Sequence, residues 1–370
     1  MNRVREKVCL LLAVVILGGM LEFSLLSLRT QIPAADEMIF IRITQQLPKY
    51  DSHMVWYSID GKTDPNTYLE PSPFFDKAYN HPIWVHPPAA NYLAYPIVKL
   101  LYHESSEVDI REGVLRLRWI AWAMIAFCIL GAVYLVRKRD RSGKVFLLSM
   151  LPLATGYILF TQWGDNWFYH DTFMLAFLMV ALLMRKTKYE KFIYIPLALM
   201  VGSKIYGVLF LIPFTIENRK TVLCSLALVP YFVQSYFVTG NFFYPIAHWL
   251  AMGSFTAGYW GSEFLYSGVL GQLRAVAENA SNIILFLVII AAPFVYITYK
   301  AIKKEISWFL PTLFAISLVI GLGWTSCYYQ MLPMLVVGVL VAGEAAIQLK
   351  AKKEVSNVSL LSRREMSTLQ

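Results

Sequence analysis

Residues 8–28 read VCLLLAVVILGGMLEFSLLSL, and residues 283–299 read IILFLVIIAAPFVYITY. Runs of this length and apolarity suit a hydrocarbon core about 30 Å thick. The rest of the 370-residue chain agrees with them. It is 57% hydrophobic and only 15% charged, where soluble proteins carry about 25% charged residues. A soluble monomer this apolar would expose patches far beyond the few hundred Å² that such proteins tolerate. The composition points to an all-α polytopic membrane protein, and it excludes an ordinary soluble enzyme, a secreted disulfide scaffold and a disordered chain.

The formal net charge of +9 does not require a nucleic-acid partner. Of 33 Lys and Arg, 22 fall in six clusters at the ends of apolar runs. These are Arg3/Arg5/Lys7, the stretches 137–144 and 185–191, Arg219/Lys220, the stretch 300–304, and Lys350 onward. That distribution is the signature of cytoplasmic loops under the positive-inside rule. The four cysteines (Cys9, Cys128, Cys224, Cys327) are far apart and have neither metal-ligand nor disulfide spacing.

Further apolar spans cover 114–136, 145–163, 171–184, 221–238, 306–323 and 329–349. No small-residue cleavage site follows the first run, which reads as a retained span. The stretch 192–216 is ambiguous, because both of its flanks are basic. A single crossing would invert every later loop. A hairpin of two short arms meeting near Gly202-Ser203 puts all six basic clusters on the cytoplasmic side. Each arm then reaches only ~18 Å, and irregular backbone at that depth must be buried in protein or line a cavity. The hairpin gives about ten transmembrane helices with both termini inside.

The expected membrane domain is 1–349, followed by a polar cytoplasmic tail, 350–370, expected to be disordered. The extracytoplasmic side holds a long first loop, 29–113, with short amphipathic helices, and a second loop, 240–282. All six histidines and nine of the 17 prolines lie on that side, the prolines within the first loop alone. Any chemistry is therefore expected to be extracytoplasmic, in a plasma membrane.

Four places there carry candidate chemistry. Asp36-Glu37 follows the first span as adjacent carboxylates, where at least one pKa is expected to rise. The plainer reading is an acidic first turn on a helix over 37–47, favoured by the helix dipole. His86-Pro87-Pro88 opens an amphipathic stretch over 89–102. The prolines suit a first helical turn, and the free amides beside His86 suit an anion. The run Gly164-Asp165-Asn166-Trp167-Phe168-Tyr169-His170-Asp171 links two spans and reads either as a site or as an interfacial aromatic belt. Lys204 stands at membrane depth, where a cation costs roughly 2.5–3.5 kcal/mol. An unpaired Lys204 would be a charge whose removal leaves the protein as stable or more so.

The order of these features resembles the GT-C superfamily of polyprenyl-phosphate-sugar glycosyltransferases, in particular protein O-mannosyltransferases and aminoarabinose-transferase-like enzymes. Asp36/Glu37 and His86-Pro87-Pro88 match an early Asp-Glu and a later His-Pro-Pro in the first outer loop. Asp171 is similar to the family's second carboxylate at the start of a span, and Val201-Gly202-Ser203-Lys204 to its Gly-rich helix with a Lys. The run Gly240-Asn241-Phe242-Phe243-Tyr244-Pro245 resembles a recurrent segment of such proteins. Tyr329 stands before the last span, where many relatives carry Arg-Tyr.

The resemblance implies transfer of a sugar from a polyprenyl-phosphate donor to a protein, glycan or lipid acceptor, with inversion at the anomeric carbon. Asp36 is expected as general base, with Glu37 beside it in the catalytic pair. Asp171 would position sugar or acceptor, and His86, Lys204 and Arg42 would hold the phosphate, with Tyr329 against the substrate. No cofactor is required by the residues, although some relatives use a divalent metal ion, which Asp36 and Asp171 would bridge. Competing readings are a polysaccharide polymerase or ligase, a transporter or lipid flippase, and a non-catalytic membrane subunit.

Overall fold

The computed structural model describes residues 2–30, 37, 40–41, 44–45, 87–103, 107–156, 167–239, 242, 283–323 and 332–368. The described residues are mostly helical, with no strand among them. Without water to satisfy amides and carbonyls, a chain in lipid must bond its backbone within each segment, which favours helices. Eleven α-helices have both ends among the described residues. They are α1 (Asn2–Thr30), α2 (Ala89–Leu101), α3 (Glu107–Arg139), α4 (Gly143–Thr155), α5 (His170–Met184), α6 (Tyr194–Ser203), α7 (Leu211–Glu217), α8 (Val229–Thr239), α9 (Ile284–Ile302), α10 (Phe309–Gly323) and α11 (Leu332–Thr368). Among the described residues, four stretches are long and apolar enough to cross a membrane: Arg3–Leu26, Ile110–Arg139, Ile284–Ile302 and Leu332–Lys353.

α11 is the centre of the bundle. Residues 334–342 are buried on every side, as befits a helix that is apolar all round. Small residues let its neighbours approach. A Cβ at Gly343 would come within 2.5 Å of Val136 on α3, and one at Gly156 within 2.3 Å of Leu335. Gly131 on α3 meets Met179 and Leu183 on α5 in the same way. These close approaches replace a hydrophobic driving force that lipid cannot supply. α1, by contrast, exposes Val8, Leu11, Val15 and Leu26 along most of its length, the surface expected against acyl chains.

The basic clusters gather at one end. Glu6 of α1 accepts a hydrogen bond from the Gly143 amide (2.6 Å), and Ser142 Oγ accepts from Val145 N, so two free amides of α4 are capped. Glu344 on α11 pairs with Arg139, and Lys350 Nζ donates to Asp140 (2.8 Å). Burial raises the Asp140 carboxyl, but hydrogen bonds from Lys350 and Ser142 outweigh it and hold the group below the usual carboxylate range. Its contribution to stability is therefore present at neutral pH and is lost as pH falls through the lowered value.

The segment 192–216 returns on itself. α6 and α7 are separated by a break at Lys204 and a 3₁₀ turn, Ile205–Val208. The far end of α7 comes back to the near end of α6, where Asn218 Nδ2 donates to Tyr194 Oη (3.0 Å). Beside it, Arg185 at the end of α5 donates to Glu217 (2.5 Å), and Ser307 before α10 donates to the same carboxylate (3.2 Å). Both flanks of the hairpin thus stand together with the ends of α5 and α9.

Two sequence expectations change. The span expected over 221–238 begins as a 3₁₀ helix, Arg219–Leu228, before α8 continues it. The tail expected to be disordered is helical as far as Thr368, because residues 350–368 contain no Pro or Gly to stop a helix already nucleated by α11.

In a variant lacking the native cysteines, single cysteines at Lys138, Lys188, Lys220 and Lys303 should react with an impermeant thiol reagent from one and the same side of a sealed vesicle. Labelling of Lys220→Cys from the side opposite to Lys188→Cys would break the hairpin.

Candidate functional site

Five segments distant in sequence meet at the end of the bundle opposite the basic clusters. Glu37, Phe40, Ile41 and Thr44 are all helical and buried, the i, i+3, i+4, i+7 spacing of one helical face. Phe40 sets its ring edge-on to Phe168 (5.7 Å), Tyr169 (6.0 Å) and His170 (4.6 Å). The expected belt 164–171 is thus, over its described part 167–171, a packed interior element, with Trp167 and Phe168 fully buried.

Glu37 is wholly buried and faces Arg118, which projects from α3 and is 2% exposed. Arg118 Nη2 donates to Glu37 Oε2 (2.6 Å) and Nε to the same oxygen (2.9 Å). The second carboxylate oxygen accepts from the Phe168 amide (3.0 Å). A guanidinium offers a planar fork that satisfies a carboxylate at two points. Sequence reasoning passed over Arg118; its signal was a charge four residues inside an apolar span, which always demands a partner.

Asp171 and Lys204 form the second pair. α5 carries Asp171 in its first turn, where an anion complements the helix dipole. α6 ends at Ser203, and Lys204 takes an extended conformation (φ −150°, ψ 134°) that turns the chain out of the helix. Lys204 Nζ then donates to Asp171 Oδ2 at 2.9 Å. The ammonium also lies over the rings of Tyr169 (4.7 Å) and Tyr206 (5.5 Å), a cation–π setting. Lys204 is 1% exposed and Asp171 3%. The expectation of an unpaired Lys204 is corrected: the apolar surroundings make a bare ammonium too costly, and Asp171 supplies its counter-charge.

The start of α2, just after Pro87-Pro88, and the Gly-Ser-Lys run, more than a hundred residues apart, also come together. A Cβ on Gly202 would stand 3.1 Å from Ala89 Cβ at the start of α2, so glycine sets how closely α2 seats on the hairpin. Among the sequence-chosen residues, Glu37, Asp171 and Lys204 converge here. Asp36, Arg42, His86 and Tyr329 lie outside the described residues, as does all of the 240–245 segment except Phe242.

Of the two carboxylates that a metal would bridge, Asp36 lies outside the described residues and Asp171 within them. Asp171 is already engaged by an ammonium ion, and no group of three His, Cys, Asp or Glu side chains gathers among the described residues.

Lys204→Met should strand Asp171 and lower stability by about 3–5 kcal/mol, the usual result of breaking a buried pair. The double variant Asp171→Asn/Lys204→Met should recover most of that loss. Thermal unfolding in detergent measures both, and a single variant as stable as the parent would refute the pairing.

No protein-family model, curated protein or solved structure matches the chain.

Proposed function

We propose that this protein is an integral-membrane glycosyltransferase that moves a sugar from a polyprenyl-phosphate donor to an acceptor on the extracytoplasmic side, with inversion. One observation carries the reading. The sequence features that resemble the GT-C pattern (Glu37 after the first span, the start of α2 after His86-Pro87-Pro88, Asp171 at the head of α5, and Gly202-Ser203-Lys204) share one end of the bundle. The basic end is assigned to the cytoplasm by the positive-inside rule, which puts this cluster outside. Ten membrane helices in a plasma membrane, with both termini inside, complete the proposed topology.

A lipid-linked donor suits such a place, since its polyprenyl tail stays in lipid while the sugar stands at the surface. In the proposed reaction an acceptor hydroxyl or amine attacks the anomeric carbon through an oxocarbenium-like state. The new bond to the acceptor forms as the bond between the anomeric carbon and the phosphate oxygen breaks. Polyprenyl phosphate leaves with that electron pair, and the acceptor proton passes to Asp36. Glu37, held on both oxygens by Arg118 and the Phe168 amide, acts as the anchor of this segment. Asp171, ion-paired with Lys204, orients sugar hydroxyls. His86, Arg42 and the amides opening α2 receive the charge that develops on the phosphate, and Tyr329 lines the substrate.

A transporter remains the second reading, and one feature favours it. A helix broken at a buried ion pair, as at Lys204, is also how transporters build midplane sites.

The two part on chemistry. Purified protein in liposomes with a polyprenyl-phosphate sugar should release polyprenyl phosphate and glycosylate an acceptor. Asp36→Asn should slow that transfer by ~10²–10⁴-fold while the protein melts at the parent temperature. Mass spectrometry of surface glycans from cells with and without the protein should show one missing sugar. Unaltered surface glycans, together with substrate uptake into liposomes, would replace transfer by transport.

A further inference from the structure

Between the two ion pairs runs a neutral hydrogen-bond chain that neither of them uses. Thr44 Oγ1 donates to the Phe40 carbonyl (2.7 Å). A hydroxyl has one proton, so towards Asn91 the same oxygen accepts, and Asn91 Nδ2 is its donor at 2.9 Å. That orients the amide. Its other atom, Oδ1, carries no proton and lies 2.9 Å from His170 Nε2. The imidazole must therefore donate through Nε2.

We infer that His170 is held as the Nε2–H tautomer by this one-way chain, and that it is a positioning residue fastening the Glu37-bearing helical face and α2 to the head of α5. Thr44 lies two turns beyond Glu37 on that face, Asn91 lies in the first turn of α2, and His170 opens α5. All three side chains are buried. The ring is also wedged edge-on against Phe40 and Tyr169. Tyr169 carries the Lys204 ammonium on its own face, so a second positive charge on His170 would adjoin the first. The neutral ring suits the place, and the chain decides which nitrogen holds its single proton.

The inference stands apart from glycosyl transfer and is tested without it. Protein labelled with ¹⁵N-histidine in nanodiscs is observed by NMR, with His170 assigned by the loss of its signals in His170→Gln. The parent and Thr44→Ser should both show the Nε2–H tautomer. Thr44→Val keeps the shape but removes the acceptor two hydrogen bonds away from the ring. Asn91 is then released to turn its amide, and the Nδ1–H form should gain roughly five- to tenfold in relative population. A purely steric role would leave that ratio unmoved. An imidazolium or an Nδ1–H ring in the parent, or an unchanged tautomer ratio in Thr44→Val, would overturn the inference. The parent spectrum alone settles the tautomer, so refutation stays possible even if Thr44→Val does not fold.

Discussion

A charge inside an apolar bundle must find its counter-charge there, and this protein is arranged around two such meetings. Glu37 answers Arg118, and Asp171 answers Lys204. Neither pair is local, since 81 residues separate the first and 33 the second. Each pair therefore acts as a constraint on topology. The segment after α1 must return to α3, and the hairpin tip must reach the head of α5. Buried pairs of this kind add little net stability over apolar packing, yet they penalise every arrangement in which one partner is missing. Their contribution here is to the choice of one fold over others.

The hairpin shows how the backbone accommodates that demand. A continuous helix through 192–216 would carry Lys204 past Asp171 and invert the loops beyond. The chain instead leaves the helix at Lys204, so that its amine meets the carboxylate and the later segments return to the basic end. Gly202, two residues before the break, has no side chain, and Ala89 fills the space. The same absence of side chains governs the middle of the bundle, where Gly131, Gly156 and Gly343 set the helix spacing. Packing and charge thus act at different levels: small residues decide how near the helices lie, and ion pairs decide which ends coincide.

The two ends of the bundle differ in their physics. At the basic end the charged contacts are partly exposed, as at Arg185–Glu217 and Lys350–Asp140, and such pairs are worth little individually. They add little to what holds the fold. At the other end Glu37, Arg118, Asp171 and Lys204 are almost wholly withdrawn from solvent. There each hydrogen bond is strengthened by low dielectric, and each unmade one would be expensive. A polar cluster in which each charge is paired suits an end proposed to hold reacting groups in place.

The all-helical class, the four long apolar stretches among the described residues and the break near Gly202-Ser203 were legible in the sequence, because hydropathy, charge clusters and helix length act along the chain. Glu37, Asp171 and Lys204 could be chosen in the same way, as charges in or beside apolar runs. Their partners could not. Nothing local marks Arg118 as the partner of Glu37, or Asn91 as the link between Thr44 and His170, since each contact joins segments that meet only when α2, α3 and α5 pack. Lys204 looked unpaired for the same reason, its counter-charge lying on another helix. The tail beyond Lys350 misled in the opposite sense: its polar composition reads as disorder, but a helix already nucleated by α11 extends through it. Composition determined what kind of chain this is and where it must cross an apolar medium. Only tertiary packing decided which charge meets which, because that choice depends on distances between helices that no single helix encodes.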